Sequence, residues 1–369
     1  MKILFLSRLF YPHIGGIETH LEEISKRLIT KGHKVTIVTT KHDESLSDSE
    51  IYNSIQENPA LQGGDELNAD MSSSLGKPRL LRRGGRHKKI VIRRFVQPEV
   101  KVYGILKTWL WFYKNISLIK ESEIIHVHDV FIWYWPFRIL FPKKKVYTTF
   151  HGRWGKYPIP LKDIIQKRIG ARFSDGVMTI GEYINKYYGI RSDIVTYGAA
   201  NRFRPKAGKD PKLVLYVGRL DRDIALSLIF EVFRQIKGYK KEFCGDGELK
   251  KEAYIYGKVH GFVNPEPFYQ KAKYCFASGY LTIFEALAHK CLVFVAYANP
   301  LQKDYYLLTP FKNFIICSPN SQDLLTKFIY YSKHHAAAEK KIEAGYRWVK
   351  DQTWEKMVNN YYKLWGEIK

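Results

Sequence analysis

Hydrophobic positions along the chain follow two alternating rhythms. Residues 3–6 (ILFL) form a short apolar run of the kind that makes a buried strand, and the loop after it holds Pro12, Gly15 and Gly16. Ile17, Leu21, Ile24 and Leu28 then recur at helical spacing up to Gly32, and the β-branched run KVTIVTT at 34–40 reads as the next strand. Strand, glycine loop, helix and strand in succession make a βαβ unit, which implies a parallel sheet.

Strand-like runs recur at 90–95, 124–130, 145–150, 176–181 and 193–198, most of them separated by helical stretches. A basic, proline-containing segment at 202–212 reads as a linker. The rhythm restarts with strands at 212–220, 240–247, 258–263, 274–278 and 291–297. It ends in one long amphipathic helical pattern from Ala336 to near Trp365. The prediction is an α/β protein of two doubly wound, Rossmann-like domains facing across a cleft, residues 1–200 and 201–340. A C-terminal helix, 341–369, is expected to pack back toward the first domain. Residues 43–88 break the pattern. They are rich in Ser, Asn, Asp, Gly and Gln, finish in the basic run RLLRRGGRHKK, and read as a flexible insertion.

Composition narrows the partners. Sixty Lys and Arg against 36 Asp and Glu give a net charge of +24, so the partners are anionic: nucleic acid, an anionic membrane face or phosphorylated substrates. No nucleic-acid module is recognisable, and the βα arrays explain the chain better, so no nucleic acid is expected. The four cysteines, Cys244, Cys275, Cys291 and Cys317, form no C-x-x-C and read as buried free thiols. No uncharged run is long enough to span a bilayer, and the apolar start is too short for a signal peptide, which points to the cytoplasm. Two aromatic segments flanked by lysine, Tyr103–Leu118 and Phe131–Lys145, fit either of two roles. They are a peripheral contact with an anionic membrane surface, or the core of the first domain.

Candidate chemistry lies where parallel strands end and helices begin, because ligands gather there. In SGYLTIFEAL, Ser278–Leu287, Gly279 permits close backbone approach and the helix start favours an anion. Glu285 on that helix is placed to accept hydrogen bonds from a ribose diol, or else to complement the helix N-terminus or pair with a lysine. Arg219, in GRLDRD, is either a diphosphate clamp or a surface arginine, and Asp221 and Asp223 read as solvated loop charge rather than a metal site. His126 and His128 share one face of a strand. They are core histidines, or His128 orients or deprotonates a hydroxyl, with Thr149, Phe150, His151 and Gly152 lining the same crevice. Gly15 and Gly16 are a β-to-α turn or a second backbone cradle, followed by Glu18 and His20.

The order FYPHIGGIETH, GHKV, HVHD, YVGRLD, FCGDGELK, HGFV, TIFEALA resembles the retaining glycosyltransferases of family 4, which have the two-domain GT-B fold. The resemblance covers nearly the whole chain apart from 43–87. It implies a nucleotide-sugar donor, a UDP- or GDP-hexose, with no cofactor or metal required, and a lipid-linked or polysaccharide hydroxyl as acceptor. It implies that His128, Arg219 and Glu285 carry catalysis. Gly15, Gly16, Gly279, Leu281 and Thr282 would hold the donor's phosphates and sugar, and Gly261, Phe262 and Val263 would border the base. Glu18, His20 and His151 fall on the acceptor side. Two departures stand out. The family's carboxylate eight residues before Glu285 is Ala277, and its lysine five residues after Arg219 is Ile224, for which Arg222, Lys271 and Lys273 are the candidate substitutes. A degenerate, non-catalytic subunit is the alternative these two positions raise.

Overall fold

The computed structural model describes residues 1–53, 89–98, 101–152, 157–201, 203 and 208–367. The first domain runs β1 (Lys2–Ser7), α1 (Gly16–Thr30), β2 (Lys34–Thr40), β3 (Ser49–Asn53), β4 (Lys89–Phe95), α2 (Lys101–Lys114) and α3 (Ser117–Glu121). It continues with β5 (Ile124–His128), α4 (Phe131–Leu140), β6 (Lys145–Phe150), α5 (Leu161–Phe173), β7 (Gly176–Ile180), α6 (Glu182–Tyr188) and β8 (Ile194–Thr196). The eight strands lie in the order β3-β4-β2-β1-β5-β6-β7-β8, all parallel except the antiparallel edge pair β3–β4. Strand β1 shows why the sheet is covered on both faces. Ile3 and Phe5 enter a cluster with Leu21, Ile24 and Leu28 of α1, while Leu4 and Leu6 enter one with Phe112, Trp133 and Phe137 of α2 and α4.

The second domain runs β9 (Asp210–Val217), α7 (Leu226–Gln235), β10 (Lys240–Cys244), α8 (Lys250–Ala253), β11 (Lys258–Val259), α9 (Glu266–Lys271) and β12 (Ala272–Ala277). It continues with α10 (Tyr280–Ala288), β13 (Leu292–Ala296), α11 (Pro300–Leu307), β14 (Ile315–Ser318), α12 (Ser321–Lys333) and α13 (His335–Val349). Its six strands are all parallel, in the order β11-β10-β9-β12-β13-β14. A last helix, α14 (Trp354–Trp365), lies on α1 and β7 of the first domain.

Two expectations are corrected, and one left open between two readings is decided. The 43–88 segment is not an uninterrupted insertion, because Ser49–Asn53 pair with β4 as an edge strand; residues 54–88 lie outside the described residues. The single C-terminal helix is two. The Thr353 hydroxyl accepts the Lys356 N–H at 3.2 Å and restarts the helix, and the break is fixed where the Ala200 N–H donates to the Gln352 carbonyl at 2.9 Å. So α13 stays with α10, and α14 alone crosses back. Most aromatics of Phe131–Lys145 are core: Phe131, Trp133, Tyr134 and Phe137 are buried. Three cysteines are buried and the fourth, Cys317, is partly so; all four are free thiols.

Candidate functional site

At the carboxyl edge of the second sheet, four turns touch. A Cβ added at Gly218 would lie 2.2 Å from Ser278 Oγ, and one at Gly245 would lie 1.9 Å from the Gly218 carbonyl oxygen. The Gly245 N–H donates to the Gly261 carbonyl at 2.8 Å. These approaches leave no room for a side chain, so glycine in the GRLD and CGDG turns is a packing requirement. They set Gly218, Gly245 and Gly261 side by side next to the start of α10. Phe262 is half exposed beyond them, and Val263 packs into the core.

Helix α10 begins at the extended residue Gly279, with no side-chain cap from that position. Thr282 Oγ1 accepts the Gly279 N–H at 3.2 Å, and the Tyr305 hydroxyl accepts the Tyr280 N–H at 3.1 Å. The N–H groups of Leu281 and Thr282 have no intrahelical acceptor, and the first turn holds no acid, so the positive end of this helix is uncompensated. Helix α1 differs. Glu18 folds back on its glycine start: a Cβ on Gly15 would lie 2.4 Å from Glu18 Oε2. Glu18 also meets His13 Nδ1 at 3.0 Å, a hydrogen bond that raises the His13 pKa. An anion therefore favours α10 over α1.

The two helix starts face each other. A Cβ on Gly16 would come within 4.0 Å of Leu281 Cδ1, and Leu281 packs against the first-domain cluster that includes Phe5, Ala199 and Tyr361. One turn into α10, burial lifts Glu285 to a pKa of about 7; a hydrogen bond from Tyr269 opposes the shift and Glu266 adds to it. Among the described residues, no cation acts on this carboxyl.

Arg219 is half exposed and pairs with its own loop, Asp221 at 2.6 Å and Asp223 at 3.2 Å. The Asp residues read as solvated charge are thus its partners. Ala277 is buried at the end of β12 beside Val217, and Ile224 is buried in the core. The candidate substitutes do not fill the lysine's place. Arg222 turns to Glu248 at 3.8 Å, Lys271 ends α9, and Lys273 pairs with Glu339 at 3.5 Å near the amino end of β12. Replacing Arg219 with alanine removes a group worth ten- to hundredfold in donor affinity by the strength of charged hydrogen bonds. Its two acidic neighbours compete for the guanidinium, so about a tenfold rise in donor Kd is expected by calorimetry.

On the first-domain side, β5, the residue after β6 and helix α1 bring four histidines together. His20, His126, His128 and His151 have neighbouring ring centroids 5.2–6.1 Å apart. Burial lowers all four pKa values, His126 to about 3 and His151 to about 4; neighbouring histidines push His20, His126 and His128 the same way, while at His151 Asp129 and Glu18 oppose the shift and Lys167 adds to it. Trp365 Nε1 donates to His126 Nδ1 at 3.0 Å. An indole only donates, so His126 carries its proton on Nε2 and gives it to Thr149 Oγ1 at 2.7 Å. Thr149 in turn meets the Tyr361 hydroxyl, which lies 2.8 Å from His20 Nε2. His128 Nδ1 faces His151 Nε2 at 3.0 Å, while His128 Nε2 is buried with no partner. Beyond it, Asp129 holds a positive φ of 61°, accepts the His151 N–H at 3.1 Å and pairs with Lys167. Burial raises the Asp129 pKa, but Lys167 and His151 more than offset it.

The structure thus places Gly16, His20, His128 and His151 on the first-domain side and Arg219, Gly261, Gly279, Leu281, Thr282 and Glu285 on the second, with Gly16 opposite Leu281. Sequence reasoning missed Tyr361 and Trp365 of α14, Tyr269, Tyr305 and Lys167. Only the i, i+4 spacing of Tyr361 and Trp365 offered a signal, and it did not say what they would hold.

Residues 14–196 match the family model "Glycosyltransferase Family 4". The chain is similar to sucrose-phosphate synthase from Thermosynechococcus elongatus, with 16% identity, TM-score 0.74, and 99% of this chain and 98% of that one covered. It is similar to a TarM variant from S. aureus, solved with fondaparinux, alpha-GlcNAc-glycerol and UDP, with 12% identity, TM-score 0.67 and 99% of each chain covered. Over 38 residues it is 51% identical to one subunit of human phosphatidylinositol N-acetylglucosaminyltransferase, a stretch that spans 10% of this chain and 8% of that relative.

Proposed function

We propose, from the premise that the chain belongs through residues 14–196 to Glycosyltransferase Family 4 and has the GT-B fold, that it transfers a hexose with retention from a nucleoside diphosphate to a hydroxyl of a lipid-linked or polysaccharide acceptor. One observation carries this reading. Glu285 is a partly buried carboxyl, poorly solvated and with no cation acting on it among the described residues, on the helix whose uncompensated start faces the Gly15–Gly16 loop across the cleft. A group that destabilises the empty fold there is accounted for by a ligand diol that satisfies it.

In this reading Glu285 accepts the ribose hydroxyls, and the Leu281 and Thr282 N–H groups and Arg219 meet the diphosphate. Gly261, Phe262 and Val263 border the base. As the bond from the sugar carbon to phosphate oxygen breaks, negative charge grows on the phosphate, where the helix start and Arg219 stabilise it. The acceptor hydroxyl attacks the oxocarbenium-like carbon from the same face and passes its proton to the departing phosphate oxygen. His128, with Glu18, His20 and His151 around it, orients the acceptor. Ala277 leaves the sugar without the carboxylate that the family resemblance implies, so sugar selection falls to the first-domain wall. UDP bound by the TarM variant supports a UDP donor, and the lipid in the human relative's name supports a lipid-linked acceptor. A thermal-shift panel of UDP-, GDP- and ADP-hexoses tests the reading. A rise in melting temperature with one of them is expected, and no response to any would overturn it.

A further inference from the structure

We infer that the outer face of α2 is a docking surface for an anionic lipid bilayer, placed so that a lipid-borne acceptor is delivered to the His128 wall. The inference rests on the acceptor side proposed above. It starts from an asymmetry. Among the described residues, the large apolar side chains left exposed lie mainly in the first domain, and α2 concentrates them. Val102 (71%), Tyr103 (49%), Leu106 (52%), Leu110 (50%) and Tyr113 (68%) are exposed on this one helix. At about 100° per residue these five fall within an arc of about 100°, one continuous stripe. The opposite side is accounted for by packing. Thr108 and Phe112 are buried, Trp111 stacks on Phe95 with centroids 5.1 Å apart, and Trp109 Nε1 donates to the Ile132 carbonyl at 2.8 Å. The stripe is therefore not core turned outward by misregistration; the helix already has a core face and carries a second apolar one.

Charge identifies the occupant. Lys107 and Lys114 border the stripe, and Lys107 Nζ lies 5.1 Å from the Tyr103 ring centroid. Helix α4 packs between α2 and α5, and the three helices together carry eight lysines and arginines against one aspartate. Ile139 and Leu140 at the end of α4, and Leu161 and Ile165 on α5, extend the exposed apolar surface across this layer. Apolar side chains ringed by cations fit the interface of an anionic bilayer, where rings and leucines enter the headgroup boundary and lysines meet lipid phosphate. Position adds function to adhesion. Strands β4 and β5 are parallel and end at the same edge of the sheet, α2 starts six residues after β4 ends, and Trp109 of α2 reaches the carbonyl of Ile132, four residues beyond His128 at the end of β5.

Flotation of the full chain with vesicles tests this, using phosphatidylcholine alone and phosphatidylcholine mixed with phosphatidylglycerol, at low and high salt. The chain is expected to float with the anionic vesicles, less so at high salt. Leu106→Glu with Leu110→Glu is expected to lower partitioning about tenfold or more. Ile255→Glu, at an exposed site in the second domain, is expected to change nothing. Unaltered melting temperatures establish that both variants are folded. The inference is overturned if the unmodified chain does not float, or if the double variant floats equally well. It is also overturned if the chain is a dimer in solution that the double variant dissociates, which would assign the stripe to a second copy. Nucleotide-sugar thermal shifts are read on the same samples. A chain that floats through α2 but responds to no nucleotide sugar keeps the docking face and overturns the transferase reading instead.

Discussion

Replacing Glu285 with glutamine is expected to weaken donor binding by ten- to a hundredfold and, at pH 8, to make the empty protein more stable. Both effects have one cause. Burial holds the Glu285 carboxyl near a pKa of 7 instead of 4.5. Between these values the folded protein binds a proton that the unfolded chain has already released. The contribution of this group is therefore fully present below about pH 4.5 and is lost as pH rises through about 7. Above pH 7 the ionised carboxylate costs on the order of 3 kcal/mol at most. Glutamine keeps the shape and one acceptor oxygen but removes the charge, so chemical denaturation at pH 8 is expected to show the variant as the more stable protein. Binding moves the other way, because a hydrogen bond to a charged acceptor is worth about 1.5–3 kcal/mol and a ribose diol makes two with a carboxylate. Donor affinity in the parent is expected to fall as pH drops below 7, with the pH dependence absent from the variant. A variant that is less stable at pH 8 and binds donor normally would reassign Glu285 to the scaffold.

The fold was legible wherever one strand face or helix stripe was read locally. The period-two split of β1 and the helical spacing of Ile17, Leu21, Ile24 and Leu28 are local facts, and the parallel order followed from them. Illegible features depended on what distant segments do. Residues 49–53 (SEIYN) carry too little apolar character to announce a strand; they pair because β4 offers an open edge. The break before Trp354 is local, since Thr353 is a good N-cap, but its purpose is tertiary. It lets the chain pass from α13 on the second domain to α14 on the first.

The candidate site divides in the same way. Glycines at 218, 245 and 261 and the helix start at 279 come from short motifs, and the structure sets them side by side. Charge pairing was not readable. Arg219 engages Asp221 and Asp223, two residues that sequence alone assigns to solvent, and nothing in the motif says which neighbour a guanidinium will take. Ile224 is informative in the opposite sense. Its burial places this position in the core of the second domain rather than on the cleft surface.

The second large effect is expected at His128. Alanine there should lower kcat by about a hundredfold, leave the donor Kd within about twofold, and be partly rescued by glutamine. The ring sits at the cleft end of β5 with Nε2 buried and unpartnered, and burial together with His126, His151 and His20 depresses its pKa. A histidine with so low a pKa is neutral at physiological pH and a poor proton acceptor, so its contribution is orientation of the acceptor hydroxyl rather than removal of its proton. That is why glutamine, which retains a hydrogen-bond acceptor, should recover part of the rate. For Nε2 to accept from the acceptor hydroxyl, Nδ1 must carry the proton and donate it to His151, which makes His151 a positioning residue. His151→Ala is expected to give a smaller loss of kcat with the same unchanged donor affinity. The depressed pKa values of His20, His126, His128 and His151 also fix the sign of acid stability. Below about 6.5 the unfolded chain takes up protons that the folded cluster refuses, so their stabilisation is present above that value and is lost as pH falls toward the folded pKa values. This opposes the Glu285 contribution between pH 4.5 and 7, and with four groups against one the cluster should dominate. Denaturation midpoints are expected to fall from pH 7 to pH 5, less steeply in His128→Gln. A kcat that stays near the parental value in His128→Ala, with the acid sensitivity unchanged, would remove His128 from both roles.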